Sequence, residues 1–285
     1  MTPRDIPSST PSPGRTGRWR KRLARLVIWA LVLGAIFVFG EHLRHLAPRD
    51  IYLTARPTPA NSQLAPGEHE LGLGGPRLVN RKIQWRDGLL YIPESATASN
   101  AVPLLVWLHS GGGKAGRYRH MFHDANREGV AVLALDARHN TWDAIDSPYG
   151  LDVRFIDEAL RYTFEHVAID PKQVALGGHS DGASYALALG RLNGTLFSHL
   201  IAVSPGRLAP PAAPQGKPKI LVSHGTRDNV YSIIGSRDYI VPELRAAGYD
   251  VTFHAYDGTH GLTKPAGAQL LKWFAAKPQN RYIWP

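Results

Sequence analysis

The chain contains no cysteine, which excludes disulfides, cysteine nucleophiles and thiolate metal sites. A chain without cysteine is compatible with any redox compartment, so location has to be read from other features. It also lacks a G-x-x-x-x-G-K-[ST] segment, which excludes a phosphate loop of that kind. No internal repeat is present, which sets solenoid and propeller architectures aside. Basic residues do not interleave with aromatics along one element, as a nucleic-acid partner would require. The formal net charge is +10, but residues 1–25 hold seven Lys and Arg against Asp5 alone and so carry +6 of it. What remains is a 285-residue chain, 44% hydrophobic, long enough for one large domain with a sizeable core and a short extension.

The extension has three parts. Residues 1–25 form a basic tail, and within it residues 2–17, rich in Pro, Ser, Thr and Gly, lack the apolar surface needed to offset ordering entropy, so disorder is expected. Residues 26–40 (LVIWALVLGAIFVFG) are uncharged and apolar, about 22 Å as a helix against a hydrocarbon core of ~30 Å. A cleaved signal peptide and a buried helix compete with a single transmembrane signal anchor for this run. Cleavage wants small residues just after it, and Val38-Phe39-Gly40-Glu41-His42 offers none that convinces, so retention is the expectation. The basic cluster Arg18, Arg20, Lys21, Arg22 and Arg25 then places the amino-terminal side in the cytoplasm and the body across the membrane. The alternative location is secretion after signal-peptide cleavage. Residues 41–66, with Pro48, Pro57, Pro59 and Pro66, are expected to be a semi-extended linker, and 67–285 the folded domain.

In the body, short apolar runs alternate with helical patterns, which predicts an α/β fold with a mostly parallel central sheet flanked by helices. Asp87-Gly88 between two strand-like runs predicts a hairpin and an antiparallel start to the sheet. The continuous runs 102–109 and 130–135 predict strands buried on both faces. Phe155, Ile156, Ala159, Leu160, Phe164 and Val167 recur at three-to-four spacing and predict a helix. Further strands are expected at 199–203, 220–223 and 251–256, with a helix at 266–276. The Pro-rich connection 205–218 leaves little room for a large lid domain.

Residues 174–192 read strand, sharp turn, helix, and at the turn Gly178-His179-Ser180-Asp181-Gly182 fits G-x-S-x-G, the nucleophile elbow of α/β-hydrolases. A serine hydroxyl is a poor nucleophile at neutral pH. It needs a base within reach, and the base needs a carboxylate to hold its tautomer. Downstream, Asp228 and His260 each follow a strand, in the order Ser, acid, His, so all three can converge at the carboxyl edge of the sheet. Asp257, three residues before His260, is the rival acid. The oxyanion donors expected are the amides of Asp181 and, in the loop His109-Ser110-Gly111-Gly112-Gly113, of Gly111. Ser110 and Trp142 are candidates to line the substrate pocket, although Trp142 and Asp143 equally suit bracing of their loop. The pairs His42/His45 and His120/His123 each lack an obvious third ligand, so no metal site is assigned.

From about Leu89 to Phe274 the chain resembles the bacterial and plant serine carboxylesterase and phospholipase family of α/β-hydrolases. The resemblance rests on 104–113 (LLVWLHSGGG), Thr141-Trp142-Asp143, 179–189 (HSDGASYALAL), 223–228 (SHGTRD), 247–251 (AGYDV) and Gly258-Thr259-His260. It departs at Ser110, where a glycine is usual, and at Tyr231-Ser232, where such hydrolases often carry a proline. The resemblance implies Ser180, Asp228 and His260 as the triad of a carboxylic-ester hydrolase that needs no cofactor. The expected substrate is a small-molecule, lipid or polymer ester, with no nucleic acid and no obligate protein partner. A polymer-ester depolymerase, a phospholipase-type esterase and a serine peptidase are alternative hydrolase readings. A catalytically silent envelope-binding module is the alternative outside that class.

Overall fold

The computed structural model describes residues 51–145, 147–209 and 213–276. The expected tail, the expected 26–40 anchor and the expected linker up to residue 50 lie outside the described residues. Among the described residues no helix is long and apolar enough to cross a membrane.

Among the described residues there are ten strands. Eight form one sheet: β1 (Gly67–Glu70), β4 (Gly88–Ile92), β5 (Val102–Leu108), β6 (Ala131–Leu135), β7 (Ile169–His179), β8 (His199–Val203), β9 (Lys219–Gly225) and β10 (Val251–Tyr256), in the order β1-β4-β6-β5-β7-β8-β9-β10. The pairs β1–β4 and β4–β6 are antiparallel, and the pairs from β6 onward are parallel. The central parallel strands β5 and β6 read as unbroken apolar runs because both faces are covered. Leu104, Val106 and Leu108 of β5 point into one core, and Leu105 and Trp107 into the other.

The first core is closed by α2 (Leu151–His166), α3 (Asp181–Leu192) and α4 (Val241–Ala246), through Phe155, Leu160, Leu187 and Leu244 among others. The second is closed by a 3₁₀ segment Ala115–Met121 with α1 (Phe122–Glu128), and by α5 (Lys264–Ala275), through Tyr118, Met121, Phe122, Leu270 and Phe274. Helices therefore cover both faces, and every β-to-helix crossing leaves from the carboxyl edge of a strand, where the site lies.

Two expectations change. Asp87-Gly88 is not a hairpin turn. The hairpin is β2 (Gly75–Val79) with β3 (Lys82–Arg86), a separate ribbon turning at Asn80-Arg81, both at positive φ (49° and 61°), as a two-residue turn of the primed class requires. Gly88 instead satisfies close packing: a Cβ there would lie 2.7 Å from methyls of Leu135 and Leu71. The described part of the expected 41–66 linker is likewise not a free spacer. It has no helix or strand before β1, yet Leu53 and Ala55 are buried and the segment is tied to the body. The Leu53 amide donates to Asn193 Oδ1 (2.7 Å), the Thr54 and Ala55 amides donate to Asp157 Oδ1 (2.7 Å each), and the Asn61 and Leu64 amides bond the carbonyls of Glu165 and His166 that the end of α2 leaves open.

Removing a buried leucine side chain costs about 2–5 kcal/mol. Leu53→Ala is therefore expected to lower the free energy of unfolding by about 2–3 kcal/mol in urea titrations. A change within ~0.5 kcal/mol would mean that this strap contributes nothing to the fold.

Candidate active site

β7 ends at His179 and α3 begins at Asp181, leaving Ser180 alone in the turn with φ 57° and ψ −118°. A non-glycine residue at such angles stores roughly 1–3 kcal/mol, and the surroundings must hold it there. They do so by close packing of backbone on backbone. A Cβ on Gly178 would sit 2.5 Å from the Gly182 carbonyl, and one on Gly182 would overlap the carbonyl oxygens of Leu108 and His109. Both glycines of the G-x-S-x-G pattern are thus steric requirements. The Ser180 amide donates to Val203 O (2.8 Å) and its carbonyl accepts from the Ser184 amide (3.0 Å), which aims the side chain away from the sheet.

Asp228 lies in the loop after β9 and His260 in the loop after β10. Gly225 lets these loops touch, because a Cβ there would overlap the carbonyls of Gly258 and Thr259, and the Arg227 amide donates to Gly258 O (2.9 Å). The three predicted residues meet: His260 Nε2 is 2.9 Å from Ser180 Oγ, and His260 Nδ1 is 2.8 Å from Asp228 Oδ2. Burial pushes the Asp228 carboxyl up. The hydrogen bond from His260 and those from the Tyr231 and Val230 amides to Oδ1 (2.9 Å each) outweigh it and hold the group at about 2. An ionised Asp228 fixes the His260 proton on Nδ1, leaving Nε2 to accept from the serine. The rival Asp257 is exposed and paired with Arg227 (2.8 Å).

The loop after β5 stands next to the serine. Its Gly112 and Gly113 amides donate to Asn140 O and Ser110 O (2.8 Å each), and the Ser110 amide approaches Tyr118 Oη at 3.4 Å. The Gly111 amide has no acceptor among the described residues. Gly111 also abuts the residue after the serine, since a Cβ on it would be 2.5 Å from Asp181 Oδ2. The Asp181 amide opens the first turn of α3 and is likewise free of an intrahelical partner. Its carboxylate is held by Thr141 Oγ1 (2.7 Å). Ser110 is half-buried beside these groups. Trp142 corrects an expectation: its side chain is fully buried, stacks on Tyr185, and donates Nε1–H to His109 O (2.8 Å), so it braces the loop from beneath and lines no accessible surface. Asp143 braces too, accepting from Tyr185 Oη (2.5 Å) and from the amides of Gly150 and Asp152.

Sequence reasoning passed over two histidines. His179, the unspecified residue of the motif, donates from Nε2 to the carbonyl of His260 and accepts at Nδ1 from Tyr118 Oη (3.2 Å), so that it links the loop of His260 to the Tyr118 that neighbours the Ser110 amide. His224 is buried, with Nε2 2.9 Å from Tyr231 O and 3.2 Å from Asp228 Oδ2, and Nδ1 2.8 Å from Ser236 Oγ. A polar residue immediately before the serine and another four residues before the acid were the available signals. His120 Nδ1 bonds Arg117 O and His123 sits 3.6 Å from Asp124, while His42 and His45 lie outside the described residues. Among the described residues no group of three or more His, Cys, Asp or Glu side chains is placed to hold a metal.

No protein-family model matches the chain, and no curated protein sequence matches it significantly. Solved structures do. An esterase designated PE8 superposes with a TM-score of 0.54 at 22% identity, covering 66% of this chain and 97% of its own. A fluorophosphonate-binding serine hydrolase of Staphylococcus aureus, FphF, gives 0.58 at 15% identity over 75% and 100%. An S-formylglutathione hydrolase from the same organism gives 0.57 at 15% over 73% and 99%. At these identities the likeness establishes the fold, which is that of the α/β-hydrolases.

Burial holds the imidazoles of His109, His179 and His199 down to about 4, and burial together with Asp143 holds Asp152 up to about 7. Between pH 6.5 and 4, unfolding therefore takes up three histidine protons and releases one from Asp152. The lowered histidines outnumber the raised acids, so the unfolded state binds more protons and stability falls on acidification. Urea titrations at pH 7 and pH 5 should show that loss; a flat profile would contradict the burial of these imidazoles in neutral form.

Proposed function

We propose that the chain is a serine hydrolase that cleaves carboxylic esters through Ser180, His260 and Asp228. The observation that carries this reading is the unbroken line Ser180 Oγ, His260 Nε2, His260 Nδ1, Asp228 Oδ2, with successive contacts of 2.9 and 2.8 Å across three loops at one sheet edge.

Ser180 Oγ attacks the ester carbonyl carbon as its proton passes to His260 Nε2. The oxygen that gains negative charge is received by the amides of Gly111 and Asp181, the two donors left open beside the serine. Collapse breaks the acyl–oxygen bond, and the imidazolium returns its proton to the departing alkoxide, releasing the alcohol. A water then gives its proton to His260, attacks the acyl-enzyme, and the acid leaves as Ser180 recovers its hydrogen. Asp228 remains ionised throughout and stabilises the imidazolium without taking its proton.

On a panel of soluble p-nitrophenyl esters, Ser180→Ala is expected to lower kcat by at least ~10³-fold, and Asp228→Asn by about 10³–10⁴-fold because the wrong tautomer of His260 is then favoured. Full hydrolysis by Ser180→Ala would remove the reading.

The basic cluster before residues 26–40 supports a location with the hydrolase body outside the cytoplasm. The chain has no native cysteine, so a single one introduced at Ser62 reports on side alone. An impermeant thiol reagent should label it from outside intact cells, whereas labelling only after lysis would reverse the orientation.

A further inference from the structure

The ribbon β2–β3 is built with one face in the body and the other in solvent. Register places Leu78 opposite Ile83 and Pro76 opposite Trp85, and alternation puts all four on the same face. On that face Leu78, Ile83 and Trp85 are 65%, 72% and 62% exposed. From the opposite face Val79 and Arg86 are buried, with Arg86 Nη1 donating to Gly113 O (2.8 Å). At the turn, Asn80 Nδ2 donates to Asn140 Oδ1 (2.9 Å), and at the base Lys114 Nζ donates to Trp85 O (3.1 Å). The apolar face is therefore carried on a ribbon pinned directly to the oxyanion loop.

On the other side of Ser180, along the same carboxyl edge, the loop after β9 leaves Val230 59% and Ile234 49% exposed. Cations accompany the ribbon: Arg81 and Lys82 at its turn, and Lys114 and Arg117 on the adjoining 3₁₀ segment, are exposed. Acids are present too: Glu68 pairs with Arg119 (2.7 Å), and Glu70, Asp87 and Asp136 line a cleft that Trp85, Lys114 and Arg119 share.

We propose that the Leu78–Ile83–Trp85 face is a docking surface for an anionic lipid bilayer. A rigid ribbon offering an aromatic and two aliphatic side chains, rimmed by Lys and Arg, matches the two attractions that hold a protein at such an interface: apolar insertion to headgroup depth, and cation contact with acidic headgroups. A second copy of the chain fits worse. The three side chains expose on the order of 400 Å², about half of the ~800 Å² per partner of a standard protein interface. Docking stands independently of the esterase reading; its consequence, that an ester lying in the lipid surface is delivered to Ser180, rests on that reading.

The absence of native cysteine makes the test direct. Full-length Ile83→Cys, labelled with an NBD fluorophore, is incorporated with vesicles of phosphatidylcholine containing about one-third phosphatidylglycerol, and Glu158→Cys on the exposed side of α2 serves as the reference. The label at 83 should shift to the blue and be quenched by brominated lipid several-fold more than the label at 158, whether or not residues 26–40 also hold the chain to the vesicle. The effect should fall away in pure phosphatidylcholine and when Arg81→Glu and Lys82→Glu are added. Equal quenching at the two positions, insertion indifferent to phosphatidylglycerol, or a blue shift that grows with protein concentration in lipid-free micelles, as a second copy would produce, overturns the proposal. Fluorescence needs no turnover, so failure here is distinguishable from failure of the esterase reading.

Discussion

The arrangement depends on one strained residue. Ser180 can stand at φ 57° only because Gly178 and Gly182 let three stretches of backbone, the end of β7, the start of α3 and the end of β5, approach closer than any Cβ would allow. That contact does more than expose a hydroxyl. It presses the start of α3 against the carbonyls of Leu108 and His109, which sets the oxyanion loop beside the serine. Strain at Ser180 and its proximity to the Gly111 and Asp181 amides are therefore products of the same packing.

Around this point the fold supplies position and the buried polar groups supply orientation. Parallel strands deliver Ser180, Asp228 and His260 to one edge from places far apart in sequence. Hydrogen bonds then fix what the strands leave free: Asp228 by two amides, His260 through its carbonyl by His179, the oxyanion loop through Tyr118 and Trp142. Neutral buried imidazoles recur in these supports. Each can donate from one nitrogen and accept at the other without the desolvation cost of a charge, which suits links between loops.

Much of this was legible in the sequence, for identifiable reasons. Strands buried on both faces announce themselves as unbroken apolar runs, and the elbow is legible because its two glycines have a steric cause. Asp257 also fits the order Ser, acid, His; its place only three residues before His260 is what disfavours it, and in the fold Asp228 is the carboxylate beside His260 Nδ1. What escaped has causes too. Leu53 and Ala55 are isolated apolar residues in a Pro-rich, polar stretch, and nothing in their own pattern distinguishes docking from a spacer. Asp87-Gly88 carries the ordinary chemistry of a turn, but Gly88 is there for contact with Leu71 and Leu135, while the turn falls on Asn80-Arg81, whose arginine at positive φ gives no local cue. The place of Trp142 in the loop after the Asp136 strand says nothing about which side of that loop its ring takes, and burial against His109 and Tyr185 decided it.

The central claim is that Ser180 is made nucleophilic by its place at this junction. Exposure of the purified chain to a fluorophosphonate, followed by peptide mapping, tests it most directly. The account predicts a single covalent adduct on Ser180, formed at least ~10²-fold more slowly when His260→Ala removes the base. An adduct on another residue, or labelling of Ser180 at an unchanged rate without His260, would contradict it.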